Sequence, residues 1–441
     1  METPVYDFAV RYAQNGGARL HMPGHKGRGI LGCEALDITE IKGADSLYEA
    51  DGIIAKSERN AAELFGVRRT FFSAGGSSQC LKAMLFLALQ GGKSRTVLAA
   101  RNVHKSFIQA AALLDFEVEW VWPQPYQLLS CAVSPQMLAG ALEKLAQPPA
   151  AVYLTSPDYL GHLQPVKALA EICHKYNTVL LVDNAHGAYL HFLPEPVHPA
   201  DLGADACCDS AHKTLPVLTG GAYLHLISDR EANWEQNARQ ALSLFGSTSP
   251  SYLILESLDL CNASLARDFR PQLAEAAVRV AKLKTGLKAD GWTVEDTEPL
   301  KLVIKTPGDT CTGTALADRL RAGRVECEYA DPDYLVLMFS PKNDPADYAL
   351  VAQTLGCAPP QGDASAHCAM RPPQKAMGIR SALFAPCEEI PVELALGRIC
   401  GAPSVSCPPA VPVVVSGEVI TREAIAVFRH YGIHSVVAVK E

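Results

Sequence analysis

The 441-residue chain has a formal net charge of −8, with 48% hydrophobic and 20% charged residues. That is the make-up of an ordinary globular protein long enough for two or three domains. The acidic balance gives no electrostatic reason to expect nucleic acid or an anionic membrane as a partner. Met1 to Gly17 holds no apolar core of signal-peptide length, and no apolar run approaches the roughly 20 residues that span a bilayer, so a cytoplasmic protein is expected. The 14 cysteines are scattered. Cys207 and Cys208 are adjacent rather than a CxxC, so reduced structural thiols are the expectation.

The Gly- and Ser-rich segment Ser73 to Gln79 precedes a helical pattern running to Leu89. Glycines there allow close backbone approach, hydroxyls donate hydrogen bonds, and a helix amino terminus favours a dianion. The same segment would also serve as a simple N-cap. Thr96 to Ala100 reads as a strand, Ser106 to Leu114 as a helix, and Glu117 to Trp122 as a strand. Pro135 to Leu145 has helical spacing, Ala151 to Thr155 is a buried strand, Val166 to Tyr176 is helical, and Thr178 to Asp183 is a strand ending in a carboxylate. This alternation predicts an α/β fold with a mostly parallel sheet, and ligands gather beyond the carboxyl ends of such strands. A helical stretch from Arg267 through Lys284 follows, then strand patterns at Leu300 to Thr306 and Tyr334 to Ser340 with a helix at Gly313 to Arg321 between them. These describe a smaller α+β region. Residues 357–374 form a Pro- and Ala-rich linker, and a terminal unit with a strand signal at Val411 to Val415 completes the chain.

The most informative segment is Ser210-Ala211-His212-Lys213-Thr214-Leu215-Pro216. A lysine beside a histidine and a serine, ahead of an apolar run, suits an aldehyde-binding amine. Asp183 stands 30 positions earlier (213 − 183 = 30) at a strand end, where a pyridoxal phosphate enzyme places the carboxylate for the ring nitrogen. His104 follows the strand at 96–100 and could stack on an aromatic ring. Alone, His104 reads more readily as a satisfied histidine in a strand-to-helix turn, and Asp183 could be a plain helix cap. Together a hydroxyl cup, a histidine, an acid and a lysine follow one another on loops after strands. No GxxxxGK[ST], post-strand GxGxxG or HExxH competes with them. His186 and His191 are five apart and complete no zinc pattern with Asp183, so no metal is expected.

These residues resemble the Orn/Lys/Arg decarboxylase family, in its short form without an amino-terminal wing domain. Leu20 to Gly27 (with Pro23-Gly24-His25-Lys26), Asp37-Ile38-Thr39-Glu40, Asp45-Ser46-Leu47, Ala62 to Gly66, Asp183-x-Ala185-His186-Gly187 and Ser210-x-His212-Lys213-Thr214 look like its motifs. Leu396 to Ile399 and Cys407-Pro408-Pro409 look like a degraded carboxy-terminal signature. The resemblance implies an aspartate-aminotransferase-like (fold type I) large domain with smaller α+β carboxy-terminal domains. On that reading residues 1–45 are an arm, 46–265 the large cofactor-binding domain, 266–356 the small domain, 357–374 the linker and 375–441 the terminal domain.

It further implies pyridoxal 5'-phosphate as cofactor, a basic amino acid (arginine, lysine or ornithine) as substrate, and a homodimer with shared active sites that makes an amine for polyamine biosynthesis. Lys213 would carry the cofactor as an aldimine, with Asp183 at the ring nitrogen and His104 stacked on the ring. Gly76, Ser77, Ser78, Ser210 and His212 would hold the phosphate, helped by Ser247 and Thr248 of the neighbouring subunit, and His186 would assist Asp183 or the substrate. Glu388 and Glu389 are candidates for the substrate's distal group, whereas an aminotransferase would use Arg321 or Arg324 for a carboxylate. The chain departs from the family pattern at Ala74-Gly75-Gly76, at Thr219-Gly220 and at Cys407 to Ala410. Another fold type I enzyme, or a non-catalytic protein of this fold, are the alternatives.

Overall fold

The computed structural model describes residues 1–90, 94–122, 130–230, 233–308, 310–356, 359, 371–406 and 412–441. Up to Pro271 its strands are β1 (Arg69–Ser73), β2 (Thr96–Ala100), β3 (Glu117–Val121), β4 (Ala151–Thr155), β5 (Leu180–Asp183), β6 (Ala206–Asp209) and β7 (Ala222–Leu226). The helices Gly76–Gln90, Lys105–Leu114, Pro135–Leu142 and Val166–Lys175 alternate with them, as the periodicity predicts. The chain divides into two compact units. One comprises Met1–Ser94, Ala146–Tyr153 and Val166–Pro271, and the other comprises Arg95–Leu145, Leu154–Pro165 and Gln272–Glu441.

In the first unit the strand order is β1-β7-β6-β5-β4. β5 and β6 run parallel, and β7 runs antiparallel to both β6 and β1. Every residue of β5, β6 and β7 is buried. Their near-continuous apolar runs are those of strands covered on both faces. Only the last positions of β5 and β6 carry charge, Asp183 and Asp209, which places two carboxylates at carboxyl ends of parallel strands.

Residues 1–45 are fastened by carboxylates. Asp45 accepts hydrogen bonds from the backbone N–H groups of Ser46, Gly52 and Ile54 at 3.0, 2.9 and 2.9 Å. It thereby caps the helix Ile53–Leu64, whose N-cap is a glycine without a side chain. Tyr252 donates its hydroxyl to the Asp45 carbonyl at 2.6 Å, and His25 pairs with Asp37 at 3.0 Å. The helix Tyr252–Arg267 is followed by Phe269–Ala289, which carries the helical stretch expected from Arg267 through Lys284. Asp268, at φ −142°, breaks the first, and Pro271 sits in the opening turn of the second, where its missing N–H costs nothing.

Two acids on the helix Tyr252–Arg267 are buried. Asp259 accepts from the N–H groups of Val5 and Tyr6 at 2.9 and 3.0 Å, at the start of the helix Pro4–Gln14. Burial pushes its carboxyl up to about 6 despite the Ser57 hydroxyl and those N–H groups. Burial, then the charges of Asp37 and Asp259, push Glu256 up to about 8. Both folded-state values lie above those of an unfolded chain, so their contribution to stability is complete below pH ~4 and is lost as pH rises through about 6 and about 8.

The second unit holds β2 and β3 as a parallel pair. It continues with β8 (Lys301–Lys305), β9 (Tyr329–Ala330) and β10 (Tyr334–Met338), antiparallel in the order β8-β10-β9. The helices Gly313–Ala322 and Pro345–Leu355 accompany these strands. Beyond them come β11 (Cys387–Pro391), β12 (Ser404–Ser406), β13 (Pro412–Val415) and β14 (Ser435–Val439), with the helix Arg422–His430 between the last two. One core joins the two stretches, with Val303, Val336, Val392, Val414, Ile420, Phe428 and Val436 packed together. Of the proposed linker only residue 359 and residues 371–374 are described, and Val411 and the Cys407 to Ala410 segment lie outside the described residues.

This unit also contains a fully buried guanidinium. Arg101 donates to the two carboxylate oxygens of Glu418 at 2.8 and 2.7 Å, and it lies 4.8 and 4.6 Å from the Trp120 and Trp122 ring centroids. A fork-to-carboxylate pair between two aromatic faces satisfies a charge that burial alone would forbid.

Two measurements check these carboxylates. In urea unfolding, Glu256→Gln should shrink the loss of stability between pH 5 and pH 8.5 by on the order of 3 kcal/mol. An unchanged pH profile would contradict the assignment. Glu418→Gln, which strands the buried Arg101 charge, should cost about 3–5 kcal/mol in the same assay at pH 7.

Candidate active site

The segment around Lys213 is assembled entirely within the first unit. Ser210 follows β6 directly, and a single helical turn, Ala211–Thr214, presents Lys213 to solvent while Ala211 and Thr214 stay buried. The Lys213 Nζ lies 3.0 Å from the His186 Nε2. His186 itself is buried in the loop after β5, three positions beyond Asp183.

The glycine- and serine-rich segment forms the start of the 15-residue helix Gly76–Gln90. Gly76 adopts φ +71° and donates its N–H to the Gly220 carbonyl at 2.8 Å. Ser77 and Ser78 are half-buried in the first turn, and Ser210 donates its hydroxyl to the Ser77 Oγ at 2.7 Å. His212 is anchored to the same turn as Gly76. Its backbone N–H reaches the Gly221 carbonyl at 3.2 Å, and its ring Nδ1 lies 3.0 Å from that oxygen. Gly220 sits at φ +97°, and a Cβ there would meet the Ile254 Cδ1 at 3.2 Å and the Ala74 carbonyl at 3.3 Å. The departure at this position is thus a backbone requirement, because the turn that ties the cup to the lysine segment needs a left-handed residue in a crowded place.

Asp183 is 3% exposed at the end of β5. Its Oδ2 accepts the Tyr153 hydroxyl at 3.0 Å, and its Oδ1 accepts the Ala185 N–H at 3.2 Å and the Cys208 thiol at 3.8 Å. On the other side of the strand ends, Asp209 accepts from the Asn184 amide at 2.6 Å, from His198 at 3.0 Å and from His225 at 3.2 Å. Burial alone would raise the Asp209 carboxyl. The neighbouring His198 and His225 more than offset it and hold the group well below the carboxylate range.

His198, Cys207 and Asp209 lie close enough to suggest a metal cluster. The His198 Nδ1, however, accepts the Ala200 N–H at 3.1 Å, which leaves its Nε2 as the donor to Asp209. Burial, together with Asp209, pushes the Cys207 thiol well up, so it keeps its proton. The donor set fits a hydrogen-bond network rather than an ion.

The remaining sequence candidates have other surroundings. His104 belongs to the second unit, is exposed, and caps the helix Lys105–Leu114 by accepting the Ser106 N–H. Ser247 and Thr248 are exposed, and the Ser247 Oγ accepts the Ser249 N–H at 3.1 Å. Glu388 is exposed and pairs with Arg398 at 2.7 Å, and Glu389 is exposed and accepts the Ser435 hydroxyl. Arg321 is tied to Asp318 and Glu326, and Arg324 sits at φ +64°. Sequence reasoning missed Tyr153, Cys208, Asp209, His198 and His225. Only the strand-end position of Asp209 hinted at a role, since the pairing that brings the others together joins distant segments.

The set suits a phosphorylated aldehyde cofactor with a basic ring nitrogen. It offers hydroxyls at a helix amino terminus, an amine beside an imidazole, and a buried carboxylate. The buried Thr214 Oγ1, next to Lys213, finds no hydrogen-bond partner among the described residues and is free to accept one.

The profile of the Orn/Lys/Arg decarboxylase major domain matches residues 3–310. An arginine decarboxylase of Bacillus subtilis (strain 168) is 30% identical over 461 residues, covering 96% of this chain and 92% of its own. The solved constitutive lysine decarboxylase of E. coli shares the fold with a TM-score of 0.79 at 18% identity, over 100% of this chain and 82% of that one. A serine palmitoyltransferase of Sphingomonas wittichii follows at 0.59 and 14% identity, over 80% and 84%. The fold is therefore the α/β, fold type I architecture expected from the sequence.

The Gly220 turn is open to a direct check. Gly220→Gln, which places a side chain at this left-handed position, should cost at least about 1–2 kcal/mol in thermal or urea unfolding. A neutral substitution would show that the turn relaxes freely.

Proposed function

The chain belongs to the Orn/Lys/Arg decarboxylase family, and from that premise we propose that it removes the α-carboxylate of a basic amino acid with pyridoxal phosphate held at Lys213. The observation that carries this reading is the exposed Lys213 amine 3.0 Å from a buried imidazole, in the unit that also buries Asp183 at a strand end. The bound cofactor supplies an electron sink for the pair left when the Cα–carboxylate bond breaks.

The protein's own groups prepare that step. Ser77, Ser78, Ser210 and His212, with the amino terminus of the helix Gly76–Gln90, would hold the phosphate dianion, and the Gly76 turn would bring backbone close to it. Asp183 would hold the proton on the ring nitrogen. At 3.0 Å the His186 Nε2 would take a proton from the Lys213 Nζ, which would leave a neutral amine to hold the cofactor. His104 is proposed to stack on the ring. Ser247 and Thr248, exposed after the helix Trp234–Ser243, are proposed to reach the phosphate in a second subunit of a homodimer.

Among the substrates arginine is favoured, supported by the similarity to the Bacillus arginine decarboxylase. The reading includes a cytoplasmic enzyme whose amine product feeds polyamine synthesis.

Incubating the purified, cofactor-loaded protein with arginine, lysine and ornithine separately tests it. Carbon dioxide should appear with agmatine, cadaverine or putrescine, fastest from arginine. Lys213→Ala should lower turnover by at least about a thousandfold and remove the visible absorbance of the bound cofactor. A 2-oxo acid product, or no turnover of any of the three by a loaded protein, would sink the proposal.

A further inference from the structure

Asp183 is gripped from three sides by groups with no assigned role. Tyr153 on β4 and Cys208 on β6 are both fully buried, and each directs a proton at a different carboxylate oxygen, at 3.0 and 3.8 Å. Cys208 is the register partner of Asp183 in the parallel β5–β6 pairing, so strand geometry itself aims the thiol. Behind the carboxylate, the Asn184 N–H donates to the Cys208 carbonyl at 3.0 Å and the Asn184 amide to Asp209 at 2.6 Å, which pins the backbone on the opposite face.

The terminal torsion of an aspartate is broad, so a strand end alone leaves the orientation of its carboxylate open. Donors on both oxygens close that freedom. Burial, then the neighbouring Asp183 charge, push the Tyr153 hydroxyl and the Cys208 thiol well above their ordinary range. Both therefore stay protonated, and both bonds persist throughout the pH range in which a decarboxylase works.

We infer that Tyr153 and Cys208 are positioning residues that hold the Asp183 carboxylate aimed, and so set how firmly it keeps a proton on the cofactor's ring nitrogen. This rests on the functional reading above. Neither residue needs to touch the cofactor, since each acts through the carboxylate.

The test is to load wild type, Tyr153→Phe and Cys208→Ala with pyridoxal phosphate labelled with 15N in the ring. The ring-nitrogen signal is then followed from pH 6 to 9.5, with the dissociation constant of the cofactor measured alongside. Tyr223→Phe removes another fully buried hydroxyl, one that donates to Asn262 at 3.3 Å, and serves as the control. The expected result is a ring nitrogen that loses its proton about one pH unit lower in Tyr153→Phe and in Cys208→Ala, a tenfold weaker hold, with Tyr223→Phe like wild type. If one variant does not fold, the other carries the test. Variants whose ring-nitrogen signal and affinity match wild type would overturn the inference, as would an equal shift in Tyr223→Phe. A wild-type chain that takes up no pyridoxal phosphate overturns the functional reading along with it, whereas a loaded wild type with unshifted variants overturns this inference alone.

Discussion

The first unit depends on one buried charge. Asp209 closes β6 with no solvent to stabilise it, and three nitrogen donors from distant segments converge on its carboxylate. Asn184 comes from the loop after β5, His225 from β7, and His198 from the loop before β6. An uncompensated carboxylate at this depth would be prohibitive, so each donor's segment is obliged to be where it is. Because Ser210 is the next residue, the placement of the lysine turn inherits that obligation.

The two faces of the strand ends divide the work. One face carries the fixed scaffold of Asn184, His198 and His225, all buried and each bonded to the buried Asp209. The other carries Asp183 between Tyr153 and Cys208. Alternation along a strand makes this possible, because successive residues point to opposite sides. Cys207 and Cys208 illustrate it: adjacent in sequence, they face different networks, the first near Asp209 and the second against Asp183.

Much of this was legible in the sequence. Strands with uninterrupted apolar runs, such as Val179 to Val182, have one reading in an alternating pattern, and the helix after the glycine pair begins at Gly76 as the turn residues require. Asp183 and the lysine turn, both singled out in the sequence, stand at the ends of β5 and β6 within one unit. The partners of Asp183 were not singled out, since a tyrosine and a cysteine inside apolar strands look like core until the register is known. Gly220 stands out in the sequence only as a departure from the family pattern, and its φ and its carbonyl contact show a left-handed turn joined to Gly76. The helix Tyr252–Arg267 was not read from the sequence, whereas the stretch from Arg267 was, and it begins at Phe269.

The Arg101–Glu418 pair has a bearing on how the chain is made. Its members are 317 positions apart, so a growing chain presents the arginine long before the acid that neutralises it has been synthesised. Loop closure over that span is slow relative to local structure, and domains complete themselves as units during synthesis. The second unit, which contains both residues, therefore cannot finish its interior until the carboxy-terminal segment has left the ribosome. A chain lacking Glu418 would leave the Arg101 guanidinium without its carboxylate partner, so the interior of this unit closes only around a chain that reaches that residue.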